Sequence, residues 1–269
     1  MPELPEVETT RRGIEPLILG KPVTAIEVRE KRLRWPVAPQ LESLVGASIV
    51  AVRRRAKYLL LDSERGSVIM HLGMSGSLRV VASSIAPTTH DHVDIVFDDR
   101  TCLRLRDPRR FGAVLWSRDP LQHKLLRALG PEPFDLSFDG AYLHKRARGR
   151  KLAVKSLLMD SHVVVGVGNI YASEALHAAG IHPRRPAGRI SQPRYQGLSD
   201  AVREILAQAI DFGGTTLRDF SNAEGKPGYF RHELAVYGRA GQPCPMCDSA
   251  VRQETIGQRS TYYCHRCQR

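Results

Sequence analysis

The chain has 269 residues, 42% of them hydrophobic, so it can bury a large core in one or two domains. Its 40 Lys and Arg outnumber 28 Asp and Glu, a net charge of +12 that favours a polyanionic partner, nucleic acid or an anionic membrane surface. No apolar run is long enough to span a bilayer, and Glu3, Glu6 and Glu8 break any signal-peptide core, so an intracellular, cytoplasmic protein is expected.

The first stretch is Met1-Pro2-Glu3-Leu4-Pro5-Glu6-Val7-Glu8. If Met1 is removed, as a small second residue permits, Pro2 becomes a free secondary amine beside a carboxylic acid. An α-amine titrates at about 7.7–8.0, against about 10.4 for lysine, so a useful fraction can act as a nucleophile at neutral pH. The competing reading is an ordinary frayed terminus. Val7 to Leu19 reads as a helix weakened by Gly13 and Pro16 and ended by Gly20. Short strand-like runs follow at 23–29, 48–61, 67–72, 77–82, 93–97, 101–106 and 113–116, a spacing that points to a β-sandwich or barrel. No GxGxxG or P-loop pattern accompanies them, so a nucleotide-cofactor fold is unsupported. Cys102 lies alone in a strand-like run and reads as a buried core thiol.

Gly130-Pro131-Glu132-Pro133 reads as a hinge, and the basic cluster at His144, Lys145, Arg146, Arg148, Arg150 and Lys151 as a solvated linker or a phosphate-facing stretch. Helices are predicted over 155–159, over 170–179 with Asn169 as N-cap and Gly180 beyond its end, and through Val202 to Ile210, capped by Ser199 and closed by Gly213. The glycines of Val165-Gly166-Val167-Gly168-Asn169 bring backbone N–H groups to a helix start, which suits either an anion such as a DNA phosphate or a tight packing turn. The stretch from Gly213 to Ala240 mixes glycine, aromatic and basic residues, a composition that fits a flap over a substrate.

Cys244-x2-Cys247-x16-Cys264-x2-Cys267 is a strong metal signal. Two Cys-x2-Cys turns in a reducing compartment supply four thiolates for one structural zinc ion, with no open coordination position for catalysis. The residues between read as a hairpin with Gly257-Gln258-Arg259 at its tip, able to enter a DNA groove. Three further spots suit distorted DNA: Lys57 after Arg53-Arg54-Arg55, Met74 in the glycine-flanked turn His71–Gly76, and Arg109-Arg110-Phe111 before Gly112. An exposed Met or Phe beside arginine can wedge into a base stack, although burial in the core is the commoner fate of each taken alone. His90-Asp91-His92 lacks a nearby third ligand, so a surface or phosphate contact is favoured over a metal pair.

Together the terminus, the glycine turns, the segments 129–133, 165–174, 213–220 and 225–230, and the zinc finger resemble the formamidopyrimidine-DNA glycosylase family over nearly the whole chain. Leu4 fits this branch; the related endonuclease VIII branch more often has glycine there. Ser249 departs from the more usual glycine or threonine, which bears only on one knuckle turn. The resemblance implies an α+β chain in four parts: an N-terminal β-sandwich catalytic domain flanked by a helix (1–130), a linker (131–150), a helix-two-turn-helix DNA-binding domain with a lesion-covering loop (151–240), and a zinc-finger β-hairpin (241–269), with DNA in the cleft between. It implies removal of oxidised purines, 8-oxoguanine and formamidopyrimidines, with β,δ-elimination at the resulting site. Pro2 is then the nucleophile and Glu3 the catalytic acid. Lys57 matches the proton donor for β-elimination and Arg259 that for δ-elimination, though a guanidinium suits phosphate positioning better than proton donation. His90, Arg109, Arg150, Lys155 and Asn169 match DNA contacts, and Met74, Arg109 and Phe111 match void-filling residues. The implied partner is double-stranded DNA containing oxidised purines or abasic sites, bound by a monomer in the bacterial cytoplasm and associated through DNA with the nucleoid. A non-enzymatic DNA-binding zinc protein is the competing class, and it has no use for Pro2 with Glu3.

Overall fold

Alternating apolar residues in the first half of the chain build two four-stranded antiparallel sheets whose inner faces share one core. The strands are β1 (Val23–Val28), β2 (Ala51–Arg55), β3 (Tyr58–Ser63), β4 (Gly66–His71), β5 (Ser77–Ala82), β6 (Asp91–Phe97), β7 (Thr101–Arg106) and β8 (Ala113–Ser117). One sheet has the order β1-β6-β7-β5 and the other β2-β3-β4-β8. Val93, Ile95, Leu103 and Leu105 from the first sheet and Leu59, Leu61, Val68 and Met70 from the second meet in that core. Each such side chain contributes about 1.5–3 kcal/mol on burial. This is a computed structural model, and it describes residues 2–215 and 234–269. Met1 and most of the expected lesion-covering loop lie outside the described residues.

Helix α1 (Leu4–Ile18) buries Leu4, Val7, Ile14 and Ile18. It starts three residues before the predicted Val7, because Pro5 occupies the first turn, where a missing N–H costs nothing. Pro16 lies inside the last turn. The predicted run 48–61 is two strands: Ala56 takes a left-handed φ of 55° and turns β2 back on β3.

The described residues divide into two compact units, 2–127 with 212–215 and 128–211 with 234–269. The second unit holds α2 (Gly140–Ala147), α3 (Val154–Leu158), α4 (Asn169–Ala178), α5 (Gln192–Asp211) and the hairpin β9 (Arg252–Ile256) with β10 (Arg259–Tyr263). Helix α2 was not expected in the basic stretch. Asp139 caps it, accepting from Tyr142 N at 2.7 Å, and His144, Lys145 and Arg146 lie in its last turn, where cations suit the helix dipole. Two predicted caps are misplaced. Gly168, not Asn169, is the N-cap of α4, so the Asn169 side chain is released for another contact. Ser199 sits mid-helix in α5, fully buried, its hydroxyl returning to Gln196 O at 2.8 Å. Among the described residues no helix is long and apolar enough to cross a membrane.

Candidate functional site

The first unit gathers the N-terminal residues. Pro2, Glu3 and Glu6 are buried, with Glu3 as the N-cap of α1. The Glu6 carboxylate accepts from Glu3 N at 2.8 Å with one oxygen, and from Thr215 N at 2.9 Å and Thr215 Oγ1 at 2.8 Å with the other. Glu6 therefore ties the terminus to the segment entering the 216–233 region. Gly214 is needed for that approach: its φ is +83°, and a Cβ there would stand 3.1 Å from Glu6 Oε1.

Helix α1 runs alongside β2 in the opposite sense. Arg11 Nη1 donates to Val52 O at 3.2 Å, and Glu8 pairs with Arg54 Nε at 3.1 Å. Continuing both elements one turn further carries the helix start toward the β2–β3 turn, where Lys57 sits half-buried. Across the sheet Tyr58 pairs with His71, their rings 4.9 Å apart. His71 was not singled out from the sequence, where a lone histidine in an apolar run carries no signal. Its Nδ1 accepts from Gly73 N at 2.9 Å, leaving Nε2–H as a donor. Burial, with the charges of Lys57 and Arg34, lowers its pKa to about 4, so it is neutral at pH 7. The folded pKa lies below the ordinary 6.5, so this group's contribution is present above pH 6.5 and lost as pH falls through about 4. The His71→Gln variant is expected to flatten that acid limb by on the order of 3 kcal/mol. Melting curves of both proteins from pH 7 to pH 4 check this, and parallel curves would refute it.

Met74 is partly exposed on the turn after β4, and Arg109 and Phe111 are exposed on the turn before β8. The Arg109 guanidinium lies 5.0 Å from the Phe111 ring centre, so the two project together. Arg110 takes a left-handed φ of 55° and folds back to Glu30 Oε2 at 2.9 Å. His90 is partly buried beside them, its carbonyl accepting from Asp107 N at 2.9 Å. Asp91 is committed to Thr88 N and Oγ1, and His92 Nε2 to Asp107 O, so this cluster does not converge on a metal.

The second unit gathers a separate set. Asn169, the first residue of α4, donates from Nδ2 to Ser260 O at 2.9 Å, and the Tyr237 hydroxyl lies 3.5 Å from the same nitrogen. Lys155 is 1% exposed, and its ammonium donates to Thr261 Oγ1 at 2.8 Å and Ser260 O at 3.3 Å. A buried ammonium demands such acceptors. Both residues thus grip β10 just after Arg259. Arg259 is exposed and opens β10 opposite Ile256; the turn itself is Gly257-Gln258, with φ of 53° and 61°, so Arg259 stands one residue behind the predicted tip. Arg150 is 37% exposed and lies 3.9 Å from Asp160. Tyr237 and Glu174 were missed as single residues because each acts through folding. The Glu174 carboxylate accepts from the backbone N–H groups of Ala235, Val236 and Tyr237 at 2.7, 3.1 and 2.7 Å, and burial raises its pKa against those bonds.

Cys244, Cys247, Cys264 and Cys267 have all four sulfurs within 4.8 Å of one another. The Cys247–Cys264 and Cys244–Cys267 separations are 3.4 and 3.9 Å. Tetrahedral zinc with bonds of about 2.3 Å places its sulfurs about 3.8 Å apart, so this donor set fits one zinc ion. His177 Nε2 lies 3.3 Å from Cys244 Sγ, a contact that orients the thiolate. Gln268 supports the second knuckle, accepting from Cys264 N at 2.7 Å and donating to Ile181 O at 2.9 Å.

Three family models match the chain. They are the formamidopyrimidine-DNA glycosylase N-terminal domain over residues 1–114, its H2TH domain over 129–221, and a zinc finger found in FPG and IleRS over 241–269. The chain is 60% identical to formamidopyrimidine-DNA glycosylase of Methylococcus capsulatus over 271 residues, covering 100% of both chains. It is 58% identical over 270 residues to that of Pseudomonas aeruginosa, again covering 100% of both. Similar solved structures include MutM (Fpg) of Thermus thermophilus, with a TM-score of 0.89 and 38% identity over 99% of this chain and 98% of that one. A Lactococcus lactis Fpg variant in complex with DNA containing Fapy-dG has a TM-score of 0.92 and 33% identity over 100% of both chains.

Proposed function

This chain belongs to the formamidopyrimidine-DNA glycosylase family, and we propose that it performs that family's base excision and strand cleavage through Pro2. Lactococcus lactis relatives bind DNA containing Fapy-dG and DNA containing an abasic site, the states before and after base loss. The substrate class for this chain is accordingly duplex DNA with oxidised purines, 8-oxoguanine and formamidopyrimidines, or abasic sites. It acts where chromosomal DNA lies, in the cytoplasm and nucleoid. The observation that supports the residue assignment is the burial of Pro2 with Glu3 at the start of α1, which packs along β2, the strand that precedes Lys57.

A base in the stack hides its sugar C1′, so the nucleotide must leave the helix first. Met74, Arg109 and Phe111 fill the space it vacates. The unprotonated Pro2 nitrogen attacks C1′, and the bond to the base breaks with its electron pair leaving on the base. The attacking nitrogen gives up its proton to the departing base, Glu3 protonates O4′ as the C1′–O4′ bond breaks, and the nitrogen lone pair so freed forms an iminium with C1′. The iminium acidifies C2′; loss of that proton expels the 3′ phosphate, and a second elimination expels the 5′ phosphate. Lys57 serves the β step. Arg259 holds the phosphate leaving in the δ step, because a guanidinium stabilises charge better than it gives up a proton. His90, Arg109, Arg150 and Asn169 hold the backbone, with neutral His71 as a further donor. Lys155 acts from beneath, fixing the hairpin that carries Arg259. Cys244, Cys247, Cys264 and Cys267 would hold a zinc ion, which would supply a structural anchor for that hairpin and not a site for substrate.

Borohydride reduces an iminium to a stable amine. Incubation with 8-oxoguanine or formamidopyrimidine duplex and borohydride is expected to yield a covalent adduct whose peptide map ends at Pro2. An adduct at Lys57 or Lys155 overturns the assignment. No adduct, with DNA binding intact, identifies a binding module instead.

A further inference from the structure

The turns 72–76 and 107–112 are adjacent crossings between the two sheets. The first leads from β4 to β5, the second from β7 to β8. His71 pairs with Ala113 on one side of both crossings, and Ser77 with Arg106 on the other, so the two turns run side by side between fixed rails. Their backbones touch: a Cβ on Gly73 would lie 2.4 Å from the Phe111 carbonyl carbon and 2.5 Å from Gly112 N. Asp107 joins them. It is fully buried, and its Oδ1 accepts from Ser75 Oγ on the first turn at 3.1 Å. Its Oδ2 accepts from Gly112 N at 2.7 Å. Its carbonyl accepts from Arg110 N at 3.1 Å and His92 Nε2 at 2.8 Å. A buried carboxylate with both oxygens engaged by two different turns holds their relative position, since moving either turn strands a charged acceptor.

We propose that Asp107 is the positioning residue of the stack-filling apparatus: it locks the two turns into one wedge, so that Met74, Arg109 and Phe111 enter the base stack as a unit. This rests on the reading of those three residues as stack fillers. Asp107 touches no reacting atom. Its loss therefore disables the step that needs a wedge, extrusion of a stacked lesion, and spares the chemistry on a sugar that is already accessible. An abasic site in single-stranded DNA is such a substrate, with no base to extrude and no opposing stack to fill.

The test compares excision of 8-oxoguanine from duplex with cleavage of a single-stranded abasic oligonucleotide, using the full zinc-loaded chain. Asp107→Ala is expected to lower duplex excision by about 100-fold and single-strand cleavage by less than about threefold. Asp107→Asn is expected to retain most duplex activity, because an amide can accept from Gly112 N and donate to Ser75 Oγ. In a double-mutant cycle, Phe111→Ala costs little more once Asp107 is gone. If Asp107→Ala does not fold, Ser75→Ala enters the same cycle, with a duplex loss of about fivefold and the same coupling sign. Independent, multiplying losses overturn the proposal, as does an equal loss on both substrates. A wild-type chain that cleaves neither substrate overturns the family assignment of function instead.

Discussion

A preparation that retains Met1 ahead of Pro2 is expected to lose base excision and borohydride trapping by a factor of about ten thousand or more, while its affinity for abasic-site DNA changes less than about tenfold. The amide nitrogen of an internal proline has no lone pair to give, whereas a free α-amine ordinarily titrates at about 7.7–8.0, so that part of it is unprotonated at neutral pH. On the proposed reading, binding energy comes from elsewhere, from phosphate contacts assigned to residues such as Arg109 and Asn169, so affinity and chemistry should separate. The Pro2→Gly variant leaves a primary amine in place of a rigid secondary one and is expected to keep a small residual activity. Burial of Pro2 and the anchoring of Glu3 N by Glu6 at 2.8 Å hold the proline nitrogen in one place, and glycine loses part of that orientation. Single-turnover excision beside a binding isotherm on the same preparations measures both quantities. Normal excision with Met1 in place would falsify the role of Pro2.

Replacement of Cys264 by Ser is expected to release the metal and weaken DNA binding by more than about 100-fold. Structural zinc sites contribute about 10–16 kcal/mol on binding, comparable to the whole stability of a domain. Among the described residues the apolar cluster around the site is small, with Val236 and Val251 as its buried aliphatic members beside the cysteines, so the hairpin is expected to loosen without the metal. Loosening the hairpin removes Ser260 O from Asn169, Thr261 from Lys155, and Arg259 from its strand position. The buried Lys155 ammonium is then left without its hydroxyl partner, a second cost that propagates into α3. Metal content by mass spectrometry and binding of abasic-site DNA are the readouts. One zinc ion per chain in the variant, at unchanged affinity, refutes the assignment.

The zinc donor set was legible because thiolate chemistry fixes it locally: two Cys-x2-Cys turns specify four ligands whatever surrounds them. The strands were legible as short strand-like runs separated by turn residues, and β5 and β7 coincide with the predicted 77–82 and 101–106. Boundaries set by single backbone residues were not. Ala56 in the left-handed region divides 48–61 into a hairpin, and no side-chain pattern announces it. Asn169 has the chemistry of a cap, but Gly168 takes that place and the amide is drawn to Ser260, 91 positions away.

The sequence by itself determined the reactive groups: a proline that can become an amine nucleophile, a neighbouring acid, a basic surface, stack-filling candidates on glycine turns, and four metal-binding thiols. These are properties of residue type and short spacing, which survive any fold that leaves them exposed to their partners. Tertiary structure alone decided how they are held. Glu6 reaches Thr215, Glu174 collects three backbone N–H groups, Lys155 turns inward to the hairpin, and Asp107 joins two turns. Each of these is a buried polar group that must find its partner within the protein, and the partner lies wherever the packed chain brings one. Sequence spacing does not encode that distance; only the folded chain does.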